Sequence, residues 1–151
     1  MLSDGQIQSY LKGIEDKLIK SEDKKEIKLS SDWVNEFPSK PGIYVAFEDG
    51  NKVYFGETGN IRERMRDLQD SRHHTLRRNI GRHNFSSEIG YEDANTKKKF
   101  PRHIEEKVDH WLRERIKISV LPTKLGRKEL EEELIKEYDP KYNKRGQRAS
   151  G

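Results

Sequence analysis

Residues 42–57 alternate apolar and polar side chains on both sides of Glu48-Asp49-Gly50, and this pattern is typical of a β-hairpin. A two-residue turn would pair Tyr44 with Phe55 and mix the two faces of the hairpin. A three-residue turn, with the glycine in the left-handed conformation, pairs Tyr44 with Tyr54 instead. The apolar side chains then share one face: Ile43, Val45, Phe47, Val53 and Phe55. We therefore predict the three-residue turn, which makes the two tyrosines neighbours on the opposite face.

The segment after the hairpin is predicted to be a helix that carries one arginine towards the core. Asn60 is a suitable N-cap, and Ile61, Met65 and Leu68 recur at helical spacing. On a helical wheel Arg64 lies at the edge of this apolar stripe, where its long side chain can reach inward.

Arginine is concentrated just after the hairpin. Residues 60–84 contain seven arginines and three acids, an excess equal to the formal charge of +4 of the whole chain. The arginines are Arg62, Arg64, Arg66, Arg72, Arg77, Arg78 and Arg82. Guanidinium groups match the geometry of phosphate oxygens, so the cluster indicates a nucleic-acid ligand. The alternative is a solvated helical face with no ligand.

The last predicted helix, from about residue 126 to Tyr138, contains one carboxylate on its inner face. Glu131 lies within the apolar arc of the helical wheel, whereas Glu132 and Glu133 lie outside it or at its edge. A carboxylate in that position is unfavourable unless it is paired or binds a metal. The pairing alternative is an ion pair with Arg64. A single glutamate suffices for Mg²⁺, which retains waters and accepts phosphate oxygens, and such a site binds the ion weakly without a phosphate.

The rest of the chain divides into three parts. Residues 1–37 are predicted to form an amphipathic helix over 3–28 and a linker, 38–143 the main domain, and 144–151 a basic tail. Within the domain, Gly81 is expected to end a short helix that starts at Thr75, and 85–99 to form a loop. A helix from Pro101 to about Arg115 and a strand over 116–121 follow.

Composition excludes several classes of protein. The chain has no cysteine, which rules out disulfides and cysteine-ligated zinc, and no apolar run approaches the length of a membrane span. Only 30% of the residues are apolar and 38% are charged, which suggests polar extensions around a small core. We expect an intracellular protein, cytoplasmic or nucleoid-associated, with no membrane partner.

The motifs identify a family resemblance over about residues 41–143. Gly42-Ile43-Tyr44, Tyr54-Phe55-Gly56 and the ending E-x-x-L-I-K-x-x-x-P-x-Y-N, from Glu131 to Asn143, resemble those of the GIY-YIG nuclease superfamily. The chain is similar to the incision domain of excision-repair nucleases and to the catalytic heads of homing endonucleases. The resemblance implies an α+β fold: a small α/β sandwich with a three-stranded antiparallel sheet flanked by helices, here with an N-terminal helical extension.

The resemblance also implies roles for individual residues. Tyr44 and Tyr54 look like the family's two active-site tyrosines, Arg64 like its arginine and Glu131 like its metal-binding glutamate. The catalytic set is completed by the asparagine that closes the domain, Asn143. Gly42 and Gly56 are expected to allow close approach of the backbone to a phosphate. The implied cofactor is one Mg²⁺ or Mn²⁺ ion, weakly bound without DNA.

The sequence departs from the family pattern in ways that bear on the site. The second motif reads Y-F-G, and Leu68 occupies a position where some members carry histidine four residues after the arginine. His73 and His74 are candidates to replace that histidine in a proton relay; alternatively, they are surface histidines near DNA or solvent. Residues 72–99 form an insertion relative to the minimal repair domain.

Three hypotheses for function follow. The first is a metal-dependent endonuclease whose cluster arginines track the DNA backbone: Arg62, Arg66, Arg72, Arg77, Arg78 and Arg82. The second is a nucleic-acid-binding module with little catalysis. The third is a nuclease that needs a targeting protein or a homodimer, since phosphate contacts alone carry little sequence information.

Overall fold

The computed structural model describes residues 3–20 and 24–146, which form helices on both faces of one antiparallel sheet. The helices are α1 (Asp4–Ile19), α2 (Ser31–Asn35), α3 (Ile61–Asp67), α4 (Thr75–Phe85), α5 (Arg102–Arg115) and α6 (Arg127–Tyr138). The strands are β1 (Lys25–Glu26), β2 (Gly42–Glu48), β3 (Asn51–Thr58) and β4 (Ile116–Pro122), and a 3₁₀ turn spans Lys141–Asn143. The strand order is β1-β4-β2-β3. The α+β sandwich is confirmed, with a short fourth strand beside the three that were predicted.

The hairpin forms as predicted, but the predicted register, with Tyr44 opposite Tyr54, is wrong. Asp49 and Gly50 both adopt positive φ, at 52° and 80°, and make a two-residue turn of the kind that Asp-Gly favours. A β-bulge then inserts Val53, so that Tyr54 pairs with Ala46 and Tyr44 pairs with Gly56. The bulge leaves both tyrosines on one face, but it moves Val53 into their core layer, so the prediction that Val53 shares the face of Ile43 and Phe55 is wrong.

Two hydrophobic clusters lie on the two faces of the sheet. The first is formed between the sheet and α2 to α5, and it includes Tyr44, Tyr54 and the apolar stripe of α3. The second is formed between the sheet and the pair α1 and α6. Its members are Leu11, Ile14, Leu18, Ile43, Val45, Phe47, Phe55, Leu130 and Leu134. The tyrosine face and the α6 helix that carries Glu131 are therefore both fixed by core packing.

The N-terminal helix is shorter than predicted. A capping box between Ser3 and Gln6 starts α1, as expected, but the helix ends at its C-cap, Lys20. Residues 21–23 lie outside the described residues, and β1 then pairs with β4 through Lys25 and Ile118. The predicted helix over 24–28 is wrong because this segment hydrogen-bonds to a strand that is distant in sequence.

Helix α4 continues through Gly81, where the sequence predicts its end. A Cβ atom at this position would lie closer than 3.0 Å to the ring of Phe100. The glycine therefore serves close packing between α4 and the segment before α5, and it does not act as a C-cap.

We expect opposite effects from alanine at two helical glycines. Gly81→Ala should lower the free energy of unfolding by about 1–3 kcal/mol, since overpacking against Phe100 outweighs the helix propensity gained. Gly13→Ala in α1, where no atom lies within 4 Å of the new Cβ, should raise it by up to about 1 kcal/mol. Urea denaturation of both variants checks this, and a stabilised Gly81→Ala protein would contradict the packing role.

No helix within the described residues is long and apolar enough to span a membrane.

Candidate active site

The hydroxyl of Tyr44 is the meeting point of the predicted site residues. Its side chain is 1% exposed, and its ring lies against Gly56 of the neighbouring strand. Arg64 Nε donates to the phenolic oxygen at 3.3 Å, and His74 Nε2 lies 3.3 Å from the same oxygen. The ring of Tyr54 lies 6.0 Å from that of Tyr44, centroid to centroid. The structure thus brings together three residues proposed from the motifs and one of the two candidate histidines.

Helix α3 positions Arg64 in the way that the helical wheel predicts. Asn60 caps the helix by accepting a hydrogen bond from the Glu63 backbone, which fixes the first turn. The Arg64 guanidinium also donates to the His73 carbonyl at 2.7 Å and lies 3.5 Å from Asp67. These contacts hold Nε towards Tyr44.

His74 is buried, and its hydrogen bonds define which ring nitrogen carries the proton. Its side chain is 0% exposed and caps α4, because Nδ1 accepts a hydrogen bond from the Leu76 backbone N–H at 3.2 Å. Nδ1 is therefore unprotonated, and the neutral ring has its proton on Nε2. The Nε2–H group then donates to Tyr44, which receives two N–H donors on one oxygen. In this tautomer His74 stabilises a phenolate; it does not accept the phenol's proton, as a relay would require.

The electrostatics keep Tyr44 and His74 neutral in the free protein. Burial raises the pKa of Tyr44 well above its usual value, nearby Tyr54 adds to the effect, and Arg64 opposes it. Burial likewise raises the pKa of Tyr54, again with Arg64 opposing. Burial, together with the charge of Arg64, lowers the pKa of His74 well below 6.5.

We expect His74 to make stability depend on pH. Its pKa is depressed in the folded state, so below the unfolded value of about 6.5 the unfolded chain takes up a proton that the folded chain refuses. The free energy of unfolding should therefore fall by up to about 1.4 kcal/mol per pH unit between pH 6.5 and 5. His74→Asn, which retains an N-cap acceptor, should lose this component.

Urea denaturation between pH 8 and 5 tests this expectation. The exposed His110 supplies the control, because His110→Asn should leave the pH dependence of the wild type unchanged. The same pH dependence in wild type and His74→Asn would contradict the buried neutral histidine.

Glu131 lies half-buried on α6, as the helical wheel predicts, while Glu132 and Glu133 are exposed. Its Oε2 accepts a hydrogen bond from the Glu57 backbone N–H at 2.7 Å, next to Gly56. Burial raises the pKa of Glu131, and that backbone hydrogen bond opposes the shift. Within 3–20 and 24–146, no basic nitrogen lies within 4.0 Å of this carboxylate, so the predicted alternative of an ion pair with Arg64 is wrong.

The arrangement around Glu131 fits a divalent metal ion. Among the described residues no donor engages Oε1, so this oxygen is available as a hard ligand. The neighbouring Glu57 side chain is paired with Arg127 at 3.1 Å, which leaves Glu131 as the uncompensated carboxylate. A Mg²⁺ or Mn²⁺ ion that keeps several waters would be compatible with one such ligand.

Asn143 supports the site through the backbone. Its Oδ1 accepts from the Phe55 N–H and its Nδ2 donates to the Phe55 carbonyl, both at 2.9 Å. β3 is an edge strand, and this pair of bonds satisfies its outer side between Tyr54 and Gly56. Both polar ends of the amide are thus occupied by the Phe55 backbone, between Tyr54 and Gly56.

The two motif glycines are buried against protein, which corrects their predicted role. A Cβ at Gly56 would overlap the Tyr44 ring, and a Cβ at Gly42 would overlap Ile61 and the Leu121 carbonyl. The space that a glycine leaves is therefore filled by neighbouring side chains and not left for a phosphate. Gly56 matters because it seats the tyrosine ring.

The arginine cluster divides into buried and accessible members. Arg77, predicted to contact DNA, is 1% exposed and forms ion pairs with Glu105 at 2.9 Å and Asp109 at 2.6 Å. The prediction that Arg77 contacts DNA is wrong, because its ion pairs connect α4 to α5. Arg72 pairs with Asp70, and Arg82 with Asp93, at partly exposed positions. The other three arginines have no carboxylate within 4.0 Å among the described residues: Arg62, Arg66 and Arg78.

The second candidate histidine lies outside the tyrosine cluster. The His73 side chain is 55% exposed, and its ring lies 3.7 Å from Asp70. Only its backbone carbonyl contacts the site, through Arg64.

Sequence reasoning missed Arg127, which neutralises Glu57 beside the carboxylate. Its position in the first turn of α6, four residues before Glu131, was the available signal.

Comparisons with known proteins identify a family and several similar proteins. The family model described as GIY-YIG catalytic domain matches residues 34–150. A crystal structure of the GIY-YIG N-terminal endonuclease domain of UvrC from Thermotoga maritima, bound to magnesium as its catalytic divalent cation, matches with a TM-score of 0.39 and 20% identity. This match covers 76% of this chain and 100% of that one.

A point mutant of the same domain, also bound to the catalytic divalent cation, matches with a TM-score of 0.40 and 16% identity, over 76% of this chain and 99% of that one. UvrABC system protein C from Maricaulis maris (strain MCS10) is 39% identical over 51 residues. That segment is 33% of this chain and 8% of the relative's length.

Proposed function

This chain belongs to the family of GIY-YIG catalytic domains, and we propose that it is a metal-dependent endonuclease that hydrolyses phosphodiester bonds of DNA. The observation that carries the proposal is the convergence of Arg64 Nε and His74 Nε2 on the Tyr44 oxygen, with the Glu131 carboxylate of α6 hydrogen-bonded to the Glu57 backbone at the end of β3. The described residues thus offer an acceptor for a water proton, a cation for phosphate oxygens and a ligand for a hard metal ion.

The reaction assigns one role to each side chain. A water oxygen forms a bond to phosphorus, its proton passes to the Tyr44 phenolate, and the phosphorus–oxygen bond to the leaving group breaks. The leaving oxygen takes up a proton from solvent. Arg64, 23% exposed at its side chain, donates to the phosphate oxygens as negative charge develops on them.

Two N–H donors lower the free energy of the phenolate form of Tyr44. Arg64 contributes a permanent charge, and His74 contributes a fixed dipole, because its Nδ1 is held by Leu76. Tyr54 lies beside Tyr44 and orients the water or the phosphate. Asn143 holds the Phe55 backbone so that Tyr54 and Gly56 keep their places.

Glu131 would hold one Mg²⁺ or Mn²⁺ ion through Oε1, together with waters and oxygens of the scissile phosphate. When bound, the ion supplies Lewis-acid stabilisation of charge on the phosphoryl and leaving oxygens. With one protein carboxylate, we expect the ion to bind weakly before DNA does.

The rate of DNA cleavage should rise with pH. Burial raises the pKa of Tyr44 well above 10, so only a small fraction is phenolate near neutrality, and this fraction increases tenfold per pH unit. We expect kcat for plasmid cleavage in saturating Mg²⁺ to increase about tenfold per unit between pH 7 and 9. Cleavage that needs Mg²⁺ and follows this slope supports both the activity and the base.

Two outcomes would count against the proposal. A metal-dependent cleavage rate that stays constant or falls as the pH rises from about 7 to 9 would show that Tyr44 is not the general base. If no metal-dependent cleavage of supercoiled, branched or single-stranded DNA is observed, the proposed nuclease activity is refuted.

A further inference from the structure

A recess of about 270 Å³ lies beside the candidate active site, between α4 and the segment that follows it. One face of α4 provides one wall, at residues spaced three or four apart: Thr75, Arg78, Asn79 and Arg82. Tyr91, Asp93 and Arg145 lie on the other side. Three arginines and one carboxylate thus surround a cavity that is large enough for a phosphate group with part of its sugar.

Arg78 is the member of this group with an unbalanced charge. Its Nη1 donates to the carbonyls of Ser71 and Arg72, both at 3.0 Å, and its Nη2 donates to Thr75 Oγ1 at 3.2 Å. All three acceptors are neutral. By contrast, Arg82 and Arg145 both face Asp93, Arg145 at 3.6 Å.

The hydrogen bonds of Arg78 leave one edge of its guanidinium open. A guanidinium has five N–H donors, of which three are used here. Nε and the second hydrogen of Nη2 find no acceptor among the described residues, and these two nitrogens form a fork that matches two phosphate oxygens. The Thr75 hydroxyl accepts from Arg78, so its own hydrogen can also donate to an anion.

The local field favours an anion at this position. Burial and the nearby charge of Arg64 both lower the pKa of Arg78, and no carboxylate of the described residues lies within 4.0 Å of Arg78 to offset that charge. A negative ligand between them would relieve that repulsion.

The recess shares one residue, Asn143, with the candidate active site. Arg78 is close enough to Arg64 and Tyr54 to interact with both electrostatically. Asn143, which clamps the backbone next to Tyr54, is itself part of the lining. A ligand in the recess would therefore lie near the strand segment that carries Tyr54.

We propose that this recess binds a second phosphate of the DNA strand, one that flanks the scissile phosphate, through the open fork of Arg78 and the Thr75 hydroxyl. The proposal rests on DNA being the substrate. It assigns two phosphate contacts to one strand, which defines the line along which that strand crosses Tyr44 and Tyr54. The Asp93-paired Arg82 closes the recess and contributes less to the binding of phosphate.

The test is the salt dependence of DNA binding in EDTA, where no cleavage occurs. Each phosphate contact contributes about 0.7–0.9 to the slope of log K against log [KCl]. Arg78→Gln should reduce the magnitude of the slope by about that amount, and Arg78→Lys, which keeps the charge, should retain most of it. The matched control is Arg113→Gln, which removes the same charge from the exposed end of α5 beside the hairpin turn and should leave the slope unchanged.

Either of two results would overturn the proposal: an unchanged slope in Arg78→Gln, or an equal loss in Arg113→Gln. If Arg78→Gln does not fold, titration of the ¹⁵N-labelled wild type with a 5′-phosphorylated thymidine dinucleotide replaces it. The Arg78 Nε–H and Thr75 amide signals should shift and saturate, and unshifted signals would also overturn the proposal. Because both readouts are independent of cleavage, a protein that binds as expected but does not cut refutes the nuclease and leaves the phosphate site standing.

Discussion

Replacing Tyr44 by phenylalanine should lower kcat for DNA cleavage by about 10²–10⁴-fold, the range expected when a general base is lost. The Tyr44 side chain is 1% exposed and its ring packs on Gly56. Phenylalanine keeps the buried ring and this contact, and removes only the hydroxyl oxygen. Two donors, Arg64 Nε and His74 Nε2, then lose their common acceptor. The residual rate should also lose its tenfold rise per pH unit.

The control for this substitution is Tyr10→Phe. Tyr10 lies on α1, where its hydroxyl bonds to Thr123 and to the Leu125 carbonyl, far from the tyrosine pair in the fold. We expect wild-type kcat in this variant. Plasmid cleavage by both variants under the same conditions gives the comparison, and a Tyr44→Phe rate within tenfold of wild type would show that another group accepts the proton.

The sequence predicts the hairpin and the faces of its side chains better than its register. Alternation places the tyrosines on one face, and the structure confirms this. The pairing differs because Asp49-Gly50 makes a tight turn, and a bulge at Val53 then keeps Tyr54 on the face of Tyr44. A pattern of period two cannot distinguish a longer turn from a shorter turn plus a bulge, since both shift the register by one residue.

Helical periodicity predicts a side chain's position correctly when that position depends only on the helix that carries it. It correctly places Arg64 at the edge of the core and Glu131 on the inner face of α6. The arginine count fails for Arg77, and the rule that glycine ends a helix fails for Gly81, because α5 and Phe100 supply the surroundings of these residues. A count of arginines cannot reveal which of them meet carboxylates from another helix.

The choice between His73 and His74 illustrates the same limit. Adjacent residues in a sequence offer no reason to prefer one over the other. The structure separates them because His74 is the N-cap of α4 and is therefore turned into the core, whereas His73 faces Asp70 and solvent. Recognition of the cap depends on knowing where α4 begins, and the prediction of a helix from Thr75 comes close enough to have suggested it.

Glu131→Gln should reduce metal-dependent cleavage by about 10³-fold, a loss of roughly 4 kcal/mol of transition-state stabilisation. Glutamine can still accept the hydrogen bond from the Glu57 backbone, so the variant should fold as the wild type does. It loses the anionic Oε1 that would ligate the metal, and a neutral amide is a poor ligand for Mg²⁺ in a site with no second carboxylate. Glu132→Gln, one residue further along α6 and exposed, should keep wild-type activity.

The most direct measurement is the cleavage of supercoiled plasmid and of branched DNA by wild type, Glu131→Gln and Glu132→Gln, each with Mg²⁺, with Mn²⁺ and with EDTA. We predict that wild type and Glu132→Gln cleave with either metal and stop in EDTA, while Glu131→Gln remains folded and bound to DNA but cleaves about 10³-fold more slowly. Equal cleavage by all three proteins would contradict the central claim, because the carboxylate beside Gly56 would then not belong to the active site.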